Sequence, residues 1–345
     1  MKSLAQARKD GSCYIIAEAG VNHNGQLDLA LQLVDAAVEA GVDCVKFQTY
    51  VTEDDVLRDS EAAAYQKKSS QENSQYTLLK KLELPFSDFR IIKEYCDKKE
   101  IQFLSTPFEL KSFQFLKDIG SPLWKVPSSD IDNYPLIEAM AKSGLPIVLS
   151  SGMSDLEEIR EILSLFEAWH VQDITILHCN TEYPTPVKDV NLRAMQMLKD
   201  TFSYPVGYSD HTLGISVPIA AVALGATVIE KHFTLDRNLP GPDHKASIEP
   251  HELKAMVQAI REVELSLGQR EKTISQSARN NMIVSRKSIY AIQPIQINDV
   301  FNEKNIACKR PREGISPLFW PNLIGKKAIR NYQTDEAISI EEIDG

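Results

Sequence analysis

Between residue 14 and about residue 265 one unit repeats along the chain: a short, mostly apolar, β-branched run followed by an amphipathic stretch. The runs are YIIAEAG (14–20), CVKFQT (44–49), IQFLSTP (101–107), LWKVPSS (123–129), PIVLSSG (146–152), ITILHCN (174–180), PVGYSD (205–210) and TVIEKHF (227–233). Continuous apolar runs of this length suit parallel strands covered on both faces. The stretches between them read as helices. Ala30, Leu33, Val34, Ala37 and Val38 follow the spacing of one helical face, and Gly41 suits its end. Tyr134 to Lys142 closes on Gly144, and Leu213 to Leu224 closes on Gly225. Eight strand–helix units in series predict an α/β fold, a (β/α)8 TIM barrel. A doubly wound open sheet is the alternative.

A polar insertion, from about 50 to 85, follows the second strand and reads as a lid or as surface decoration. The barrel is expected over 1–268 and a polar linker without an apolar face over 269–287. The remainder, 288–345, carries short β-like runs between Pro, Gly and Asn turns and is expected to form a small β-rich domain. No apolar run reaches the length of a membrane span, and the N-terminus does not read as a secretory leader. The five cysteines, Cys13, Cys44, Cys96, Cys179 and Cys308, are odd in number and none form CxxC. Free thiols in a reducing, cytoplasmic setting are therefore expected. A net charge of −10 argues against nucleic-acid binding.

Barrel chemistry sits at the C-terminal ends of the strands, and those ends are rich in polar groups. Alternation puts Lys46 with Gln48, Ser128 with Asp130, Ser209 with His211, and Glu230 with His232 on shared faces. His211 and His232 end neighbouring strands, close enough to share one divalent ion; alternatively each bonds a phosphate or a neighbour. Lys46 and Lys125 interrupt apolar strands. They could clamp an anion, form a Schiff base, or snorkel to the rim beside a glutamate. Thr106, Ser128, Ser150 and Ser209 could add hydroxyls to the same anion, or serve local turns. Glu18 ends the first strand as a general base, a metal neighbour, or the partner of a barrel lysine. Asp243 and His244, in the stiff run PGPDHKAS, could touch a sugar hydroxyl or form a surface turn.

The ordered set AEAGVNHNG, VKFQT, FLSTPF, LSSGM, LHCNTEYPTP, GYSDHTLG and EKHFT…GPDHKAS resembles the sialic acid synthases over nearly the whole chain. The tail, with KRP at 309–311 and LIGKKA at 323–328, resembles that family's antifreeze-like (SAF) domain. The resemblance implies an enzyme that condenses phosphoenolpyruvate with an N-acetylated hexosamine aldehyde and water. The products would be a nonulosonic, sialic-type acid and phosphate, released by C–O cleavage. The acceptor would be N-acetylmannosamine or a 6-deoxy-2,4-diacetamido hexose, the latter giving legionaminic or pseudaminic acids. A Schiff-base aldolase on the same barrel is the rival.

The resemblance also implies roles. His211 and His232 would hold Mn2+ or Mg2+. Lys46 and Lys125 would contact phosphoenolpyruvate, and the four hydroxyls its phosphate and carboxylate. Glu18 would act in acid–base chemistry and Glu230 beside it. Asp130, Asn180, Tyr183, Asp210 and Asp243 would surround the acceptor and metal. Arg310 would come from the SAF domain of a second copy, which implies a domain-swapped homodimer. Two departures fall near the acceptor: KVPSSD puts Ser129 and Asp130 where the family has glycine and glutamate, and Thr181 stands where asparagine is frequent. An anionic donor and an acidic chain also require a local cluster of cations, which Lys46 and Lys125 would supply.

Overall fold

A computed structural model describes residues 1–63, 67 and 72–344. Residues 64–66 and 68–71 of the insertion read as a lid lie outside the described residues. Contacts divide the chain into two units, Met1–Gly268 and Gln269–Gly345.

The first unit is the barrel. Its strands are β1 (Tyr14–Gly20), β2 (Cys44–Thr49), β3 (Gln102–Pro107), β4 (Trp124–Val126), β5 (Ile147–Ser150), β6 (Ile174–Cys179), β7 (Val206–Asp210) and β8 (Val228–His232). They run parallel in the order β3-β2-β1-β8-β7-β6-β5-β4, and β3 lies beside β4 to complete the ring. β4 is shorter than its sequence run. Pro127 cannot donate to a ladder, and Ser128–Asp130 turn into a short 3-10 helix.

Period-two alternation splits the apolar residues into two cores. Outward residues such as Ile15, Val45, Phe103 and Ile229 pack under the surrounding helices. Inward residues Tyr14, Ile16, Cys44, Leu104, Val148, Leu177 and Val228 fill the lower lumen. A helix over Leu4–Lys9 lays Leu4 and Ala7 on that lower layer, and Arg8 is tied to Asp173 and Thr175. The N-terminal end of the barrel is thereby closed. Gly207 also faces the lumen; a Cβ there would lie 2.4 Å from the Val228 carbonyl oxygen and 2.6 Å from Leu177.

The helix expected from Ala30 to Val38 spans Leu27–Ala40 and ends on Gly41 at φ 79°. Tyr134–Lys142 forms as expected, while the helix read over 213–224 is confined to Ser216–Ala223. All five cysteines are free, and four of them are buried. Among the described residues no helix is long and apolar enough to cross a membrane.

The second unit is built round an antiparallel pair, β9 (Ser288–Ala291) and β10 (Ile306–Lys309). Its own core holds Ile289, Ile295, Phe301, Leu323, Tyr332 and Ile338. The segment read as an irregular linker contains a helix, Gln276–Ser285, with no buried residue. Ser275 caps it by accepting from the Ala278 N–H.

Lys231 and Asp210 form an ion pair at 2.5 Å with both side chains wholly buried. Lys231 also donates to the Thr212 carbonyl, and Asp210 accepts from the Thr212 N–H and hydroxyl. Breaking such a pair strands a charge in the core. Lys231→Met should cost about 3–5 kcal/mol of unfolding free energy by chemical denaturation, with part recovered by adding Asp210→Asn. A loss no larger than an ordinary surface change would mean the pair does not hold this turn.

Candidate active site

The strand alternation that fills the lower lumen with hydrocarbon places charge one layer higher. Ile16 is followed on the same face by Glu18, Cys44 by Lys46, Leu123 by Lys125, and Val228 by Glu230. These four side chains form the floor of a cavity of about 820 Å³ at the C-terminal mouth, a size suited to small-molecule substrates. Register sets their order: Glu18 lies opposite both Lys46 and His232, and Ser209 lies opposite Glu230.

The charges interleave. Lys46 Nζ is 2.9 Å from Glu18 and 3.6 Å from Glu230, and Lys125 Nζ is 3.8 Å from Glu230. Burial alone would lower the Lys46 ammonium; Glu18 and Glu230 outweigh it and hold it raised. Burial lowers Lys125, with Glu230 opposing. Glu230 meets the same burial penalty, but Lys125, Lys46 and His211 overcome it and keep the carboxyl low. Glu18 differs. Burial pushes it up to about 7, against the pull of Lys46 and with a push from Glu230. One carboxylate is thus held ionised and the other sits near neutrality, as an acid–base pair requires.

Around the floor, Thr106 accepts from Lys46 Nζ at 3.2 Å, and Gln48 donates to Glu18 at 3.1 Å. Ser209 donates to Glu230 at 3.2 Å, so its proton is already committed. The Ser128 oxygen accepts from the Gly152 N–H at 2.8 Å and lies 3.2 Å from Cys179 Sγ, a contact in which either group can donate. Ser150 completes the rim of hydroxyls.

His211 and His232 stand with ring centroids 5.3 Å apart, and the Tyr183 ring lies 4.1 Å from His211. The His211 Nδ1–H donates to the Asn180 carbonyl oxygen at 2.5 Å. That carbonyl can only accept, so Nε2 keeps its lone pair. Burial holds His211 down to about 4 and His232 well below the usual imidazole range. Two neutral rings, one with its tautomer fixed, are the form in which imidazole binds a metal. Glu230 Oε2 and His232 Nδ1 are buried without hydrogen-bond partners among the described residues. The Asp243 carboxylate is 3.8 Å from that nitrogen, beyond hydrogen-bond length. The donor set therefore fits a divalent cation, although no group of three or more His, Cys, Asp or Glu gathers around one point among the described residues.

Most residues singled out from the sequence line this one cavity: Glu18, Lys46, Thr106, Lys125, Ser128, Asp130, Ser150, Tyr183, Ser209, His211, Glu230, His232 and Asp243. Three do not. Asp210 points away from the lumen, because alternation gives that face to Ser209 and His211, and it is spent on Lys231. The Asn180 side chain donates to the Asp189 carbonyl at 2.8 Å, so Asn180 acts at one remove, through the carbonyl that orients His211; Thr181 lines the cavity instead. Arg310 belongs to the second unit, where it is exposed and its Nε donates to the Ser285 carbonyl. His244 is buried beneath the mouth and bonds Thr234 and Asn24.

Other lining residues carried no assigned role in the sequence. Gln48 shares the Lys46 face as alternation places it, and Tyr50 follows two residues on, just past the end of β2. Asp55 and Leu79, from the insertion, and Met153 follow no periodicity that could have revealed them. The two departures at the end of β4 act together: the Ser129 hydroxyl donates to Asp130 at 2.8 Å, and Asn133 donates to its other oxygen at 2.9 Å. The shorter carboxylate is therefore held in place by the serine beside it.

Residues 33–272 match the NeuB family, and residues 286–344 match the SAF domain. The chain is 46% identical to an N,N'-diacetyllegionaminic acid synthase of Campylobacter jejuni, over 94% of this chain and 98% of that one. It is 42% identical to another enzyme of that name from Legionella pneumophila, over 96% of this chain and 95% of that one. The crystal structure of N-acetylneuraminic acid (sialic acid) synthetase from Leptospira borgpetersenii, in complex with citrate, superposes with a TM-score of 0.71 at 38% identity, covering 79% of this chain and 90% of that one.

Burial also pushes Asp243 from the ordinary 3.8 up to about 6. A raised carboxyl favours the folded state while protonated. That contribution is complete below about pH 4 and is lost as pH rises through about 6. In chelator-treated protein, Asp243→Asn should gain stability relative to the parent between those limits, on the order of 1–3 kcal/mol. A stability difference that stays flat with pH would show that the Asp243 carboxyl is not desolvated.

Proposed function

The chain belongs to the NeuB family, and from that membership we propose that it condenses phosphoenolpyruvate with an N-acetylated amino-sugar aldehyde and water to give a nonulosonic acid and phosphate. The observation that carries the reading is the interleaved floor of two lysines and two glutamates beside two neutral imidazoles in one cavity. For the acceptor, the legionaminic synthases at 46% and 42% identity support a 6-deoxy-2,4-diacetamido hexose over N-acetylmannosamine.

In this reading Lys46 and Lys125 hold the donor's phosphate and carboxylate, with Thr106, Ser128 and Ser150 as hydroxyl donors. The alkene electrons of the donor form a bond from C3 to the aldehyde carbon, the carbonyl π pair moves onto the aldehyde oxygen, which takes up a proton to become a hydroxyl, and positive charge develops at C2. Glu18, poised near neutrality, takes a proton from the water that adds to C2. The C2–O bond then breaks, its electron pair leaves with inorganic phosphate, and the new C2 hydroxyl gives up its proton as it becomes the product's ketone. Holding both reactants on one floor supplies the proximity such a step needs. Mn2+ or Mg2+ held by His211 and His232 would supply Lewis-acid polarisation of the acceptor carbonyl. Asp130, Tyr183 and Asp243 border the acceptor. Arg310 would reach its acetamido carbonyl from the SAF domain of a second copy, in a swapped homodimer working in the cytoplasm.

The lowered Lys125 ammonium favours one rival, an aldolase that forms an imine with pyruvate. Borohydride treatment in the presence of pyruvate would attach mass to Lys125 in that case and leave the synthase unmodified.

With a panel of acceptors, phosphate release should require phosphoenolpyruvate, acceptor and divalent cation together. It should be fastest with the diacetamido sugar, and heavy oxygen placed at C2 of the donor should appear in the phosphate. Label retained in the sugar product would refute C–O cleavage. Lys46→Ala should raise the KM for phosphoenolpyruvate about ten-fold or more, equivalent to about 1.4 kcal/mol of binding. An unchanged KM would remove Lys46 from the donor clamp.

A further inference from the structure

Two loops meet at one side of the cavity mouth: Val21–Gly25 after β1, and the run from Phe233 to Ser247 after β8. Their junction is polar yet sealed. Asn22 and Ser247 are at most 2% exposed. The Asn22 Nδ2 donates twice, to the Phe233 carbonyl at 2.8 Å and to the Ser247 hydroxyl at 2.9 Å. Ser247 in turn donates to the Asp243 carbonyl at 2.7 Å. A second arm joins the same loops, since His244 bonds the Thr234 hydroxyl at 2.7 Å and the Asn24 side chain at 3.1 Å.

The targets of the Asn22 amide are informative. Phe233 directly follows His232, and Asp243 stands 3.8 Å from His232 across the cavity wall. One side chain thus fixes the backbone on both sides of the gap between an imidazole and a carboxylate that border the acceptor. We infer that Asn22, acting through Ser247, is a positioning residue for the acceptor half of the cavity: it sets the spacing of Asp243 and His232 without touching substrate. The assignment rests on the reading of the cavity given above. The chemistry requires asparagine. Both contacts to Nδ2 are made to oxygen acceptors, so the group must be a donor, and an aspartate of equal size would bring oxygen against the Phe233 carbonyl. Small misplacements of substrate-bordering groups cost rate steeply.

Asn22→Asp removes the donors at constant volume, and Ser247→Ala cuts only the link to Asp243. Ser121→Ala serves as the control. It deletes a buried hydroxyl bond of 2.7 Å to the Leu123 carbonyl, at the other end of the barrel. Steady-state kinetics of the full chain with phosphoenolpyruvate, the best acceptor of the panel and Mn2+ should show a split. Both variants raise the acceptor KM about ten-fold or more and keep the donor KM within about two-fold. The double variant is no worse than Asn22→Asp alone, because the two residues act in one chain of bonds. Ser121→Ala lowers the melting temperature but moves neither KM. Should Asn22→Asp fail to fold, Ser247→Ala carries the test alone. The assignment is overturned if the variants leave the acceptor KM unchanged, raise both KM values together, or match the control. A parent enzyme that releases no phosphate with any acceptor would refute the proposed function itself and take this assignment with it.

Discussion

Four ionisable groups share the floor of a lumen from which water is largely excluded, and none could be kept charged there alone. Taking a carboxylate or an ammonium out of water costs several kcal/mol. The molecule offsets that by alternating the signs, with Lys46 between Glu18 and Glu230, and Glu230 between Lys46 and Lys125. The balance is uneven. Glu230 has two ammonium neighbours and stays ionised, whereas Glu18 has one ammonium neighbour, Lys46, and the Gln48 amide, and burial drives it toward neutrality. The different behaviour of two glutamates follows from their place in the strand register.

The same register explains the closeness of Asp210 and Glu230 in space and their distance in role. Ser209 pairs with Glu230, and Asp210 with Lys231, on opposite faces of β7 and β8. One face opens into the cavity, and its charges are available to a substrate. The other is shut inside the wall, where Lys231 and Asp210 satisfy one another and fix Thr212 at the start of the next turn. The turn that presents His211 is thus held by an ion pair that no ligand reaches.

The barrel could be read from the chain because parallel buried strands leave a nearly continuous apolar signature, and each such run corresponds to an observed strand. Period two then separated Lys46, Glu230, His211 and His232 from their outward neighbours. It was equally able to exclude Asp210, which lies one residue from both Ser209 and His211; motif similarity had drawn it in. Asn180 meets His211 through its backbone carbonyl, which no side-chain pattern reveals. Asp55 and Leu79 come from an insertion whose path depends on packing against the rim rather than on any repeat. The helix at Gln276–Ser285 buries no residue, so no apolar face marks it in the sequence; Ser275 caps its start, and Arg310 and Arg312 bond carbonyls of its last turn.

The short helix that seats Leu4 and Ala7 in the lower lumen leaves the barrel blind at that end. Among the described residues, traffic is therefore confined to the opposite end. A small molecule lodged against Lys46 and Lys125 has no exit beneath it, and it can escape only past whatever fills the space above. A reactant seated on the lysines is therefore roofed by whatever binds above it, so depth in the cavity and access to solvent run in opposite directions.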